Sequence, residues 1–372
     1  MKILIITANY YPRVGGVEVV VKEVTERLAQ RGHACTLLTL NQCAVQEEEE
    51  LNGVYIKRFS SRISKHLFEL SPEMLLYCMR NRRAFNTFDV VHVHNYHSLL
   101  SLQMAFLLKN VVRTKGKLIL SPYYHAQGHS RMATALLKIL NPFGRWILRQ
   151  VDVFVCISDY ETSLVQRDFS IPREKVWTIP IGVGTMSEKR DKKGRGGPIS
   201  LLYVGRVERY KGVQHIVEGM AKLKEVHNVS SSLTIVGEGD YTNELRTTIK
   251  RLGLEDAVRW LARLSAETLD AEYANADMLL LLSKAESYGL VVAEALAHGT
   301  PCIVSKSSAL IEFLQEPGCF GLDYPPNDEA LAKLILDVYA SEIVAGHLSR
   351  KVRVWEEIVD DYVRAYCSAA ST

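Results

Sequence analysis

The chain has 372 residues, 47% hydrophobic and 23% charged, a globular composition long enough for two cores. Its seven cysteines are scattered without CxxC or Cys/His ligand spacing, which argues against a disulfide framework or a zinc site, and no apolar run approaches the roughly 20 residues that span a bilayer. The net charge of +3 conceals an asymmetry: residues 1–185 hold 23 basic against 15 acidic side chains, residues 186–372 hold 22 against 27, and 62–149 alone hold 13 against 3. An anionic surface or substrate is therefore expected on one side only.

The opening MKILIITANYYP has one lysine, a short apolar run and no cleavage pattern, so it reads as a buried strand over 2–7 rather than a signal peptide. A loop over 10–16 ends in Gly15-Gly16. A helix over 17–31 follows, with Val20, Val21, Val24 and Leu28 on one face and Gly32 as its stop. Strands are expected at 34–39 and 54–59, with a solvated acidic turn at 47–50 between them. Ser71-Pro72 opens a helix to 85 as N-cap and first helical residue. Then come a strand at 90–94, a helix at 99–112, a strand at 118–121 and a helix at 130–150 interrupted by Pro142. A strand at 153–157, a helix at 158–168 and a short strand at 176–179 complete this half. Such alternation predicts a parallel sheet with helices on both faces.

Residues 186–198, MSEKRDKKGRGGP, carry no hydrophobic side chain after Met186 and read as a linker. Beyond it, strands at 199–204, 233–236, 258–261 and 278–282 alternate with helices at 213–226, 241–252 and 265–273. A polar turn at 283–289 carries Glu286, and a helix at 290–298 carries Glu294. That helix is closed by Gly299 in a left-handed C-cap and by Pro301. A strand at 302–305, a short strand at 322–324 and a helix at 328–339 follow. The stretch 352–367 is amphipathic, with Trp355, Ile358, Val359, Tyr362 and Val363. The expected organisation is a domain over 1–185, the linker, and a domain over 199–351, with a helix within 352–372 packing back on the first. The fold class is α/β, two doubly wound parallel sheets with a ligand cleft between them.

Four constellations bear on chemistry. Glu286 and Glu294, eight residues apart, would lie about 12 Å apart along one helix, beyond the roughly 5–9.5 Å of hydrolytic carboxylate pairs. The helix N-terminus near Gly289, Leu290 and Val291 instead offers free N–H groups and partial positive charge to a phosphate, with a carboxylate on either side for sugar hydroxyls. Arg206 and Lys211, between Gly205 and Gly212 just past a strand, suit a diphosphate, one as a fork and one as a point charge. Gly15-Gly16 permits close backbone approach without the GxGxxG spacing of a nicotinamide site, and Gly237-Glu-Gly239 is too short to supply one. His125, in a loop between strand and helix, suits a hydrogen bond to a hydroxyl. His92 and His94 share one strand face and read as packing or cleft-lining groups.

Together Gly15-Gly16-Val-Glu18, Tyr124-His125, Gly205-Arg206, Lys211-Gly212, Val236-Gly-Glu-Gly239 and Glu286-Ser-Tyr-Gly-Leu-Val-Val-Ala-Glu294 resemble, in order and spacing, the retaining GT-B glycosyltransferases of family 4. The resemblance implies two Rossmann-like domains with an interdomain cleft, a nucleotide-diphosphate sugar as donor, and neither metal nor other cofactor. It implies that Arg206 and Lys211 hold the diphosphate, that Glu294 grips the ribose, and that Glu286 grips the donor sugar. Gly289, Leu290 and Val291 would donate backbone N–H groups, Gly15 and Gly16 would close on the diphosphate, and His125 would contact the transferred sugar. Arg263 and Leu264 are a candidate base contact. The chain departs from the usual pattern at Pro180-Ile-Gly-Val-Gly184 and at Tyr288, where relatives carry Phe. A nucleotide-sugar epimerase, a phosphorylase and a non-catalytic nucleotide-sugar binding protein are the alternatives on this fold.

Large apolar residues beside basic ones, Phe68, Leu75 and Leu76 near Arg80, Arg82 and Arg83, and Trp146 near Arg145 and Arg149, suit contact with an anionic membrane surface. The expected protein is cytoplasmic, peripheral on the inner face of the membrane, acting on a glycan or lipid-linked acceptor. No nucleic-acid partner is expected.

Overall fold

Short apolar runs that must bury both faces gather into two parallel sheets, one in each of two compact units, Met1–Gly182 with Trp355–Thr372, and Val183–Val354. The structure, a computed structural model, describes all residues except 14, 44, 62–70, 125–143, 185–196, 263, 342, 344, 346–348, 350 and 369–372.

The first unit runs β1 (Lys2–Ile6), α1 (Gly16–Gln30), β2 (Ala34–Leu40), β3 (Glu48–Leu51), β4 (Val54–Phe59), α2 (Pro72–Arg80), α3 (Arg82–Phe85), β5 (Val90–His94) and α4 (Leu99–Phe106). α4 continues as a π-helical stretch, Leu107–Val112, and β6 (Lys117–Ser121), β7 (Val153–Cys156), α5 (Asp159–Phe169) and β8 (Val176–Thr178) follow. Residues 144–148 are also helical. The sheet order is β3-β4-β2-β1-β5-β6-β7-β8, parallel throughout except where β3 pairs antiparallel with β4. The strand order reverses between β1 and β5, and the loop after β1 delivers Gly15 and Gly16 at that point.

The acidic segment expected as a turn over 47–50 is instead the edge strand β3. An edge exposes one side to water, so alternate Glu side chains stay solvated, and charge on an edge discourages further pairing. Glu49 pairs with the buried Arg58 guanidinium of β4 at 2.5 Å. The helix expected over 71–85 divides at Asn81 into α2 and α3. Its start is as Ser71-Pro72 requires, with the Ser71 hydroxyl accepting from the Met74 N–H at 3.2 Å.

The second unit runs β9 (Ile199–Val204), α6 (Val213–His227), β10 (Ser231–Val236), α7 (Thr242–Arg251), β11 (Val258–Leu261), α8 (Ala266–Asn275), β12 (Met278–Leu281), α9 (Leu290–Ala297), β13 (Cys302–Ser305), β14 (Cys319–Leu322) and α10 (Asp328–Ala340). Its sheet is parallel with order β11-β10-β9-β12-β13-β14, a doubly wound arrangement whose reversal falls between β9 and β12. The last strand is earlier than the one expected over 322–324. Cys319 and Phe320, rather than Tyr324, register with Cys302 and Ile303.

α11 (Trp355–Ser368) then belongs to the first unit. Its stripe of Trp355, Ile358, Val359, Tyr362, Ala365 and Tyr366 is buried, and each large apolar member contributes roughly 1.5–3 kcal/mol. Polar contacts fix its register. The Tyr366 hydroxyl lies 2.8 Å from His92 Nδ1, and Arg31 donates to the Glu356 carbonyl at 2.7 Å. His92 and His94 are thus core groups, with rings 4.0 Å apart. Burial lowers both, His94 to about 3, so they are neutral at physiological pH.

Candidate active site

The reversal between β9 and β12 sets two loops side by side at the carboxyl edge of the second sheet. The β9 loop carries Arg206 and Lys211, and the β12 loop carries Glu286. Gly212 makes this approach possible. It has φ +76°, and a Cβ there would stand 1.9 Å from the Leu282 carbonyl oxygen. The Lys284 N–H donates to the Tyr210 carbonyl at 2.8 Å, joining the loops directly.

Lys211 Nζ consequently lies 2.7 Å from Glu286 Oε1, with the two side chains only 17% and 14% exposed. The Ser283 hydroxyl donates to the same Oε1 at 2.7 Å. Burial pulls the Lys211 ammonium down, but the Glu286 carboxylate beside it outweighs burial and holds Lys211 above its usual range. The result is a fixed cation at the end of a strand. Arg206 is different. Its side chain is 61% exposed, bonded to Glu208 at 2.6 Å and to the Tyr210 hydroxyl at 3.1 Å, which leaves further guanidinium donors for a ligand.

Past Glu286 the chain turns into α9 at Gly289, whose φ is +113° and where a Cβ would meet Leu310 at 2.8 Å. No side chain caps this helix, and the N–H groups of Leu290 and Val291 have no acceptor among the described residues. Free N–H groups beside a fixed ammonium make an anion site. One turn further in, Glu294 is half-buried, and the desolvation of its carboxyl raises it to about 7. The Tyr273 hydroxyl donates to Glu294 Oε2 at 2.6 Å. Leu264 is half-buried in the β11–α8 loop at the same edge of the sheet, and its neighbour Arg263 lies outside the described residues.

In the first unit Gly15 occupies the N-cap of α1 without a side-chain cap, at backbone φ −162°. Gly16 opens the helix, with no heavy atom within 4 Å of where its Cβ would be. His125 lies outside the described residues. The chain leading to it is held by a residue that sequence reasoning passed over. The buried Glu161 accepts from the Tyr124 N–H at 2.5 Å through Oε1 and from the Ile157 N–H at 2.7 Å through Oε2. Burial raises Glu161 to about 7. Its signal was Ser158-Asp-Tyr-Glu161, a capping-box spacing.

Among the described residues, one group could hold a cation. His215, Glu218 and Asp328 bring one ligand atom each within 4.8 Å of one another, on α6 and the first turn of α10 rather than among the diphosphate candidates. Of the apolar residues expected at a membrane, Leu76 and Trp146 are 45% and 46% exposed, and Met79 and Val111, outside that expectation, are 38% and 49% exposed. α2 packs on the stretch Leu107–Val112, and the Trp146 ring lies 5.7 Å from Phe106 just before it. Exposed Arg80, Arg113, Arg145 and Arg149 belong to the same elements or flank them. Arg82 and Arg83 are exposed too and Leu75 is half-buried, whereas Phe68 lies outside the described part of the chain.

Comparison with known proteins follows the same division. The family model described as Glycosyltransferase Family 4 matches residues 14–186, and that described as Glycosyl transferases group 1 matches residues 185–355. The chain is 26% identical to alpha-monoglucosyldiacylglycerol synthase of Streptococcus pneumoniae, over 95% of this chain and 82% of that one. Sucrose-phosphate synthase from Thermosynechococcus elongatus superposes with a TM-score of 0.78 at 20% identity, over all of both chains. HepE of Anabaena, solved in complex with UDP and glucose, superposes with a TM-score of 0.76 at 16% identity, over 99% of this chain and all of that one.

Proposed function

The chain is a glycosyltransferase of family 4 with the GT-B fold, and we propose that it moves a sugar, with retention of anomeric configuration, from a nucleotide-diphosphate sugar to a glycan or lipid-linked acceptor. The observation that carries the donor assignment is the buried Lys211–Glu286 pair beside the uncapped α9 N-terminus, at the reversal point of the second sheet. A diphosphate is the ligand whose charge and oxygen count such a group matches.

The chemistry follows from where charge develops. The bond between the anomeric carbon and the β-phosphate oxygen breaks, the carbon becomes oxocarbenium-like, and negative charge collects on the leaving diphosphate. Lys211, the free guanidinium donors of Arg206 and the N–H groups of Leu290 and Val291 stabilise that charge in place. Glu286 is positioned by Lys211 and Ser283 to accept from donor-sugar hydroxyls, and Glu294 to accept from the ribose. The acceptor hydroxyl attacks the same face that the diphosphate leaves, and the departing phosphate oxygen takes its proton. The reaction therefore needs no separate general base. His125, Gly15 and Gly16 keep the roles that the family resemblance implies, and we assign no metal or other cofactor to the transfer.

A membrane-bound acceptor is supported by the exposed Leu76, Met79, Val111 and Trp146 among arginines, a combination suited to an anionic lipid surface. The family relative named for a glucosyldiacylglycerol product points the same way. Among the described residues no helix is long and apolar enough to cross a membrane. The seven free cysteines fit a reducing compartment, and the reading places the enzyme at the cytoplasmic face. A thermal-shift panel of UDP-, GDP- and ADP-sugars tests the donor assignment. One class should raise Tm saturably by mass action, and no response from any of them would overturn it.

A further inference from the structure

We propose that Tyr273 is a positioning residue that holds the Glu294 carboxylate in the orientation that receives the donor ribose. The proposal rests on the assignment of Glu294 to the ribose made above. Tyr273 lies on α8 and is fully buried, although a tyrosine hydroxyl in a core needs a partner. That partner is Glu294 Oε2, at 2.6 Å.

Its remaining contacts hold Tyr273 rigidly. Thr300 donates through Oγ1 to the Tyr273 carbonyl at 2.6 Å. The His298 ring stacks on the Tyr273 ring at 5.5 Å between centroids. His298 is itself fixed, with Nδ1 2.8 Å from the Glu294 carbonyl and Nε2 3.3 Å from Asp270. Asp270 and Tyr273 from α8, Glu294 and His298 from the end of α9, and Cys302 from β13 are the titratable groups around this carboxylate.

A carboxylate on a helix can rotate about its terminal torsion, which is broad and weakly held. Pinning Oε2 removes that freedom and leaves Oε1, for which no protein partner exists among the described residues, to accept from a hydroxyl. The bond also favours the ionised carboxylate, opposing the burial that raises Glu294. Loss of the tyrosine hydroxyl should thus loosen the acceptor geometry and move the titration of Glu294 to higher pH.

The test compares wild type, Glu294→Gln, Tyr273→Phe and Thr300→Val by titration with UDP, GDP and ADP and with their 2′-deoxy forms, across pH 6–9. Wild type should prefer one ribose form over its 2′-deoxy counterpart by about tenfold, a difference near the 1.4 kcal/mol of one lost hydrogen bond. That preference should strengthen as pH rises through 7. Glu294→Gln should reduce it to twofold or less. Tyr273→Phe should lose at least half of it on a logarithmic scale and shift its pH midpoint upward. Thr300→Val, which loosens Tyr273 without removing the bond to Glu294, should lower Tm yet keep both preference and midpoint. If Glu294→Gln loses the preference while Tyr273→Phe keeps it with an unchanged midpoint, the positioning role is overturned and the ribose assignment stands. If Glu294→Gln itself keeps the preference, the ribose assignment fails, and the role of Tyr273 falls with it.

Discussion

Replacing Lys211 by methionine separates what the buried pair does for stability from what it does for catalysis. Methionine keeps the unbranched apolar stem but deletes the ammonium that lies 2.7 Å from Glu286. Two consequences follow. Glu286, 14% exposed, is left as a carboxylate without its cation, and breaking one side of a buried pair destabilises by about 3–5 kcal/mol. The departing diphosphate also loses a fixed cation. Truncating one member of a desolvated charge pair typically costs about 2–5 kcal/mol, or roughly 30- to 5000-fold in kcat/KM at about 1.36 kcal/mol per decade. Adding Glu286→Gln to Lys211→Met should restore much of the melting temperature, because the uncompensated charge is gone. It should restore none of the activity, because the ammonium is still missing. Nucleoside diphosphate release measured beside thermal unfolding reads both effects. Lys211→Met within threefold of wild type in kcat/KM, or a double variant that regains activity along with stability, would refute the diphosphate role.

Three further outcomes follow from the same structure. Desolvation raises both Glu161 and Glu294 in the folded chain from the ordinary 4.5 to about 7. Each is protonated in both states below about 4.5, and the folded state loses stability as pH rises from there to about 7, by about 3 kcal/mol per group. Glu161→Gln has no such titration, so its deficit relative to wild type should shrink between pH 5 and pH 8 in urea unfolding; a constant or widening deficit contradicts the buried-carboxylate assignment. Gly182→Ala would put a Cβ 2.6 Å from the Trp355 ring. Overpacking of that kind destabilises by about 1–3 kcal/mol, and calorimetry should show a lower Tm with donor binding unchanged; an unaltered Tm would mean that α11 seats less tightly than described. In co-sedimentation, wild type should pellet with anionic vesicles at low salt and stay in solution with neutral ones. Trp146→Ser with Arg145→Glu should lose that binding, and equal recovery with both vesicle types would remove the membrane proposal.

The fold was largely legible because parallel strands covered on both faces are short continuous apolar runs. β1, β9 and β12 show this plainly, and Gly or Pro punctuates the ends of many helices. The acidic segment at 48–51 was not, since four consecutive glutamates give no strand signal. Its pairing with Lys57 and Arg58 is a tertiary effect. The last strand was placed too late because Tyr324 is as strand-like in composition as Phe320, and only registry against β13 decides between them. In the site, Arg206, Lys211, Glu286 and Glu294 could be picked out by residue type and spacing. That Lys211 touches Glu286 could not, because the contact joins loops 75 residues apart and depends on Gly212 passing close to Leu282. Tyr273 and Glu161 read as ordinary helix residues. Their burial, which makes one a hydroxyl donor to Glu294 and the other an acceptor for two backbone N–H groups, exists only once the sheets are assembled.

The anomeric configuration of the product decides whether transfer at this site retains the donor's stereochemistry. With the nucleotide sugar that the thermal-shift panel selects and a lipid or glycan acceptor, proton NMR of the first-formed product should show the anomer of the donor, made at a rate that Lys211→Met sharply reduces. An inverted product, or transfer untouched by the loss of Lys211, would contradict the same-face mechanism built on Arg206, Lys211 and the α9 N-terminus.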